Sequence, residues 1–290
     1  MAHIAEPCFT IQNNIASRES LVQPWRIGMA ERLTRQTKKS TRGVLKTVLT
    51  TLDVVEYLVS HGGSVRLTDI SHDLGYPKGR IHRILTTLAS RNYVWRDPAT
   101  REYSPGLQTW LLSRRDHPIN SLIDSIRPDL AAIHQESQET VILSVLVEGS
   151  LVNLYVLHSF YPVFAYLSEG SLSPIHATST GKAILTEFDQ VTIRELVKQG
   201  LEQYTPYTRV DFEALFKDVQ EARIRGYAVV KDEWVIGVSA VAACIGKVHN
   251  SSHAAITIAF PSIRATDEKI MEFGKIVKEK ANEIRQRLGR

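Results

Sequence analysis

From Val44 onward the spacing of apolar residues changes from helical to extended and back. In LKTVLTTLDVVEYLVSHGG, residues Leu45, Val48, Leu49, Leu52, Val55 and Leu58 recur at intervals of three and four. This predicts a helix that buries that stripe and ends at His61-Gly62-Gly63. Thr68 is placed to cap a short second helix carrying Ile70 and Leu74. Gly75-Tyr76-Pro77 is a tight break, and Pro77 suits the first position of a third helix, where a missing N–H loses no bond. That helix runs to about Ser90 with Ile81, Ile84, Leu85 and Leu88 on one face. Residues 93–96 and 101–104 then read as strands around an Asp97-Pro98-Ala99-Thr100 turn. Helix, short helix, tight turn, helix, hairpin is the order of a winged helix-turn-helix, with the helix-turn-helix at about 67–89 and the wing at 93–104.

Residues 107–115 read as a helix, and Asp116-His117-Pro118 as a boundary. Beyond it the pattern predicts a helix at 119–138 burying Leu122, Ile126, Leu130 and Ile133. Strands follow at 141–147 and 151–158, and another near 163–167. HATSTGKAILTEF reads as a loop entering a helix, with further helices at 190–199 and 211–225. Strands at 227–231, 239–246 and 254–259 precede a long helix at 266–288. The expected fold class is therefore α+β. A mobile tail (1–40) leads into the winged helix-turn-helix domain (41–106). A helical connector (107–117) joins it to a domain (118–290) with an antiparallel sheet flanked by helices.

Charge sharpens this division. Between Arg26 and Asp116 sixteen Lys and Arg face eight Asp and Glu, a balance of +8, while the remainder carries −4. A basic segment attached to an acidic one suggests a polyanion partner, although a solvated charged surface has the same composition. No stretch approaches the roughly 20 apolar residues of a membrane span, and the first residues lack the pattern of a secretory signal. With only Cys8 and Cys244, a disulfide framework is not expected, and a reducing cytoplasm fits.

The third helix carries the candidate DNA contacts. With its apolar stripe inward, Gly79, Arg83, Thr86 and Ser90 lie opposite, Arg80, His82 and Thr87 flank them, and Lys78 stands at the start. Arg can fork onto a guanine edge or a phosphate, and Thr can touch either. Gly79 lets the backbone come close. Thr68 joins this set from the preceding helix, and Arg96 and Arg101 flank the wing turn, where they can hold phosphates. Double-stranded DNA is the expected partner. Catalytic motifs are missing: there is no HExxH, Walker loop, GxSxG or Cys-x-x-Cys. Thr180-Gly181-Lys182 imitates the end of a phosphate loop, but His176 stands where its first glycine would be. His249 and His253 are four apart across a turn-like Asn250-Ser251-Ser252, which reads as surface histidines rather than a metal pair. No enzyme activity, metal or cofactor is expected.

Three segments, in order, resemble the IclR family of bacterial regulators. LTDISHDLGYPKGRIHRILTTLASRNYVWRDPATREYSPG is similar to its helix-turn-helix and wing, HATSTGKAILTEF to its effector-domain signature, and RGYAVVKDEWVIGVSAVAACI to a second signature. The resemblance spans about residues 44–288. It implies a GAF/PAS-like effector-binding and oligomerisation domain and a small carboxylate or aromatic acid as effector. It also implies a repressor or activator acting as a homodimer, often a homotetramer, with dimers pairing through the DNA-binding domains. One recognition helix reads only a few base pairs, so a dimer implies a palindromic operator.

The resemblance would place the pocket at the backbone amides around Ser179, Thr180 and Gly181, with hydroxyls from Thr178 and Ser179. Ala240, Cys244 and Thr257 would lie opposite, with Asp232 and Glu233 nearby. Ordinary helix capping by Thr178 or Ser179, and burial of Cys244 as a small apolar residue, are the competing readings. The chain departs from the family at Lys231-Asp232-Glu233-Trp234, where a run of carboxylates is usual, and at Ala259-Phe260, where small polar residues and glycine are usual. A less polar wall leans toward an aromatic or apolar acid, with Val241, Ala243, Ala259 and Phe260 as apolar surface. The alternative is a small-molecule-binding module, or an uncharacterised enzyme, whose helix-turn-helix serves only dimer contact. An electrophoretic shift on upstream DNA separates the two.

Overall fold

The computed structural model describes residues 44–113, 117–248 and 252–289. They form two compact units that divide between residues 113 and 117. The expected tail, the end of the connector and His249 lie outside the described residues.

The first unit opens with α1 (Lys46–His61), which stops where Gly62 takes a left-handed φ of 69°. Next come α2 (Leu67–Asp73), α3 (Lys78–Ser90), the strands β1 (Val94–Arg96) and β2 (Tyr103–Pro105), and α4 (Leu107–Ser113). Gly75, at φ +68°, turns the chain out of α2, and Pro77 sits at the N-cap of α3. β1 and β2 form an antiparallel ribbon, and Val65 bridges to Tyr103 beside it. Ile81, Ile84, Leu85 and Leu88 are all buried, as the stripe requires. They pack with Val54, Leu58, Ile70, Leu74, Val94 and Tyr103 into one core. Each fully buried aliphatic side chain here contributes about 1.5–3 kcal/mol.

Two expectations are corrected in this unit. Thr68 does not cap α2: the N-cap position is Arg66, and Thr68 lies in the first turn, where its hydroxyl donates to Asp69 Oδ1 at 3.0 Å. The buried face of α1 keeps only part of the expected stripe: Leu58 is buried, and Leu49 and Val55 are half-buried. Thr50, Asp53, Val54, Tyr57 and Leu58 are buried, while Leu45 (72% exposed), Val48 (51%) and Leu52 (50%) face outward.

The second unit runs α5 (Pro118–Ser137), β3 (Thr140–Val147), β4 (Ser150–Leu157), β5 (Leu172–Pro174), α6 (Ser179–Leu185), α7 (Gln190–Leu196), α8 (Phe212–Arg225), β6 (Ala228–Lys231), β7 (Val238–Lys247), β8 (His253–Pro261) and α9 (Asp267–Leu288). The strands form one antiparallel sheet in the order β5-β4-β3-β8-β7-β6. Alternation gives each face its own cover. One face, with Val141, Leu143, Ile256, Ile258 and Phe260, packs against Ile126, Leu130 and Ile133 of α5 and Phe273, Val277 and Ile284 of α9. The other face carries Ile142, Ser144, Thr257, Ala259 and Ala240, and α6 lies over this side of the sheet. Val241, Ala243 and Phe260 therefore belong to the helix-covered core, not to the face that keeps Ala259. No strand forms at 163–167. That segment instead lies against the sheet face of Ile142 and Ala259: Ala165 is buried there, and its carbonyl accepts from the Thr140 hydroxyl at 3.0 Å.

Candidate functional site

The outward side of α3 is open. Lys78, Gly79, His82, Arg83, Thr86 and Thr87 are exposed, and no ion pair with a described residue ties down Lys78 or Arg83. A side chain added at Gly79 would meet nothing within 4 Å, so its smoothness serves no packing inside the unit. The Thr86 and Thr87 hydroxyls donate to the His82 and Arg83 carbonyls, both at 2.8 Å, leaving oxygen lone pairs and methyl groups outward. Arg80 behaves differently. Its Nη2 donates to the Lys46 carbonyl at 3.0 Å, and its guanidinium lies over the Tyr76 ring at 5.3 Å, so it braces the fold.

The wing turn is built around Asp97, whose Oδ1 accepts from the Ala99 and Thr100 amides at 2.7 and 3.1 Å. The Arg101 amide donates to the Asp97 carbonyl at 2.9 Å while Arg101 holds φ at +60°. A left-handed arginine costs roughly 1–2 kcal/mol. Arg96 lies over Tyr103, its guanidinium 5.6 Å from the ring centre. Thr68 is exposed, and Arg66 beside it pairs with Glu102 of the wing at 3.3 Å.

In the second unit the start of α6 divides into satisfied and unsatisfied groups. The Thr178 hydroxyl donates to the Pro174 carbonyl at 2.8 Å and accepts from the Gly181 amide at 3.2 Å. Gly181 is a packing glycine, since a Cβ there would lie 1.9 Å from the Ile175 carbonyl oxygen. The Thr180 and Thr257 hydroxyls bond each other at 2.7 Å, joining helix to sheet. Ser179, only 1% exposed, has an Oγ with no partner among the described residues. An unpaired buried hydroxyl costs about 1–3 kcal/mol, so each such group asks for an explanation. On the same sheet face as Thr257, the side chains of Ile142, Ala165 and Ala259 form a separate apolar cluster with Val156, Leu167, Val238 and Ala240.

The other expected pocket residues have partners of their own. Asp232, at φ +60°, accepts from the Gly237 amide at 2.7 Å and the Ser262 hydroxyl at 2.6 Å. Cys244 lies among Ala183, Ala228, Ala242 and Ala255, donates to the Ala254 carbonyl and accepts from the Gly246 amide, both at 3.3 Å. Burial pushes its thiol up to about 12. Glu233 is buried and pairs with Lys182, whose Nζ lies 2.6 and 2.8 Å from its two oxygens. Sequence reasoning missed Lys182. Only 1% exposed, it also reaches Asp218 Oδ2 at 2.7 Å, which Arg209 shares at 2.9 Å. Burial raises the Glu233 carboxyl above its usual value, against the pull of Lys182. Burial also raises Asp218, but hydrogen bonds and charge from Lys182 and Arg209 outweigh it and leave that carboxyl below its usual value.

A winged helix-turn-helix with an open basic recognition helix, followed by a helix-flanked antiparallel sheet, is the architecture of a DNA-binding transcriptional regulator. The profile of the IclR helix-turn-helix domain matches residues 47–98, and that of the bacterial transcriptional regulator IclR C-terminal domain matches residues 119–286. The chain belongs to the IclR family. It is 29% identical over 254 residues to the transcriptional repressor IclR of Escherichia coli strain K12, covering 87% of this chain and 90% of that repressor. It is 30% identical to the HTH-type transcriptional repressor AllR of the same strain, covering 81% of this chain and 88% of AllR. The crystal structure of an IclR regulator from Alicyclobacillus acidocaldarius superposes with a TM-score of 0.73 at 25% identity, over 83% of this chain and 98% of that one. An IclR homologue from Microbacterium hydrocarbonoxydans, crystallised with 4-hydroxybenzoate, has the same fold at a TM-score of 0.71 and 20% identity, over 84% and 99% of the two chains. Among the described residues no helix is long and apolar enough to cross a membrane.

Proposed function

We propose that this regulator binds a palindromic operator as a homodimer and that a small organic acid with an aromatic or apolar body modulates that binding. The observation that carries the effector reading is the buried, unpartnered Ser179 hydroxyl. It stands at the start of α6, where backbone amides favour an anion, one residue from the Thr180–Thr257 pair. Ile142, Ala165 and Ala259, on the sheet face of Thr257, supply the apolar half of the site. The 4-hydroxybenzoate bound by the Microbacterium homologue is of this chemical class. A ligand changes operator affinity only by preferring one arrangement of the protein over another.

The dimer reading rests on α1. Leu45, Val48, Leu52, Val55 and Val59 repeat at alternating spacings of three and four, and all but the half-buried Val55 are exposed. That is the spacing of a coiled-coil a/d seam over two heptads, and it favours an identical helix as partner.

Ser179→Ala tests the effector reading. Removing an unpaired buried hydroxyl should leave the free protein as stable or up to about 1 kcal/mol more stable. It should weaken binding of aromatic monocarboxylates such as 4-hydroxybenzoate by about tenfold, read by calorimetry. Unchanged affinity for an acid that the wild type binds would place the site elsewhere.

A further inference from the structure

The turn of the helix-turn-helix carries a tyrosine that holds α3 to α1 at two points. Tyr76 Oη donates to Asp53 Oδ2 at 2.7 Å, and Asp53 lies on the inward face of α1. Arg80, in the first turn of α3, covers the Tyr76 ring and donates to the carbonyl of Lys46, at the start of α1. Lys46 and Asp53 are two helical turns apart, about 10 Å. The Ser71 hydroxyl donates to the Tyr76 carbonyl at 2.6 Å, which fixes the turn to α2. α2 is held to α1 in turn by the bond from Tyr57 Oη to Asp73 Oδ2 at 2.6 Å.

An apolar side chain at position 76 could fill the same space. Burying a phenol against a carboxylate adds little net stability compared with a packed hydrocarbon. What the bond adds is direction, because hydrophobic contact is non-directional and hydrogen bonding is not. The opposite face of α1 carries the apolar seam. In a dimer paired along that seam, any angle fixed between α1 and α3 would be passed to the distance between the two recognition helices.

We infer that the chain Asp53–Tyr76–Arg80–Lys46 is a positioning device that sets the half-site spacing this regulator accepts. The inference rests on the dimer reading above. Tyr76 touches no base in this account. It acts through the orientation of α3, so a variant lacking the bond keeps its contacts within one half-site and loses discrimination between spacers.

The test uses the full chain and fluorescent duplexes built from its operator, once footprinting has located that site in the DNA upstream of its own gene. One set changes the spacer by one or two base pairs, and one duplex carries a single half-site. Wild type should lose about tenfold or more in affinity on a wrong spacer. Tyr76→Phe should narrow that loss to about threefold while single-half-site affinity stays within about twofold. Asp53→Asn, which keeps an acceptor oxygen for Tyr76, should retain wild-type discrimination. If Tyr76→Phe fails to fold because Asp53 is left unpaired, the double variant Tyr76→Phe with Asp53→Leu removes both polar groups and is read in the same way. A folded variant with full spacer discrimination overturns the inference, as does one that loses single-half-site affinity in step. A wild type indifferent to spacer while sedimenting as a dimer overturns the inference alone. Sedimentation as a monomer on both duplexes overturns the dimer reading and the brace with it.

Discussion

Individual side chains in this protein divide into those the fold consumes and those it leaves available. Arg80 and Arg83 look alike in sequence, yet Arg80 is spent on Lys46 and Tyr76 while Arg83 has no described ion-pair partner. Periodicity showed both to lie off the buried stripe, but only the position of α1 decides between them. Arg83→Ala should cost about 1–3 kcal/mol of operator binding and relax sequence preference if it reads a base. Lys78→Ala should weaken binding evenly across sequences and reduce the salt slope by about one. Filter binding across salt concentrations checks both, and unchanged affinity in folded Arg83→Ala contradicts the assignment. Lys182 was illegible for another reason: a buried lysine has no periodic signature, and its partners Asp218 and Glu233 lie 36 and 51 residues away. Lys182→Met should destabilise the second unit by about 3–5 kcal/mol, since it strands the buried Glu233 carboxylate and leaves Asp218 with Arg209 alone. Urea unfolding checks this, and adding Asp218→Asn and Glu233→Gln should recover part of the loss. An unaltered midpoint in Lys182→Met would show that the cluster is not holding the fold.

Among the elements, α3 is legible in the sequence because only one of its faces is apolar, and that face is buried. α1 is ambiguous in the sequence because two of its faces are apolar. Spacing alone cannot tell which finds cover inside the same chain, and the buried one includes Thr50 and Asp53, which look like surface residues until Tyr76 reaches them. The segment at 163–167 has the composition of a strand, yet it pairs with no strand and covers the sheet face instead. At the start of α6 the signature was visible, but its division of labour was not. Gly181 serves the backbone of Ile175 and Thr178 serves Gly181, which leaves Ser179 as the open group. The seam on α1 gives the element-scale prediction. Val48→Asp together with Leu52→Asp lies outside the core, so the fold should survive with stability changed by less than about 1 kcal/mol. A charge pair facing its own symmetry copy should shift the protein to monomer by analytical ultracentrifugation. A dimer of unchanged affinity would move the interface to another surface.

At the scale of the whole molecule, the charge asymmetry along the sequence already separated a basic segment from an acidic one. The fold gives the separation a meaning, because the basic segment holds the exposed face of α3 and the wing. The class of protein is thus legible from pattern and charge together, whereas the chemistry of the proposed effector is not, because it turns on which side chains face inward on a sheet. The most direct test of the account is the affinity of the full chain for DNA upstream of its own gene, against a scrambled duplex, measured by fluorescence anisotropy across salt concentrations. A preference of at least about a thousandfold for the upstream site is expected. The logarithm of affinity should also fall linearly with that of salt, with a slope of several units. Equal affinity for the two duplexes, or binding indifferent to salt, would contradict it.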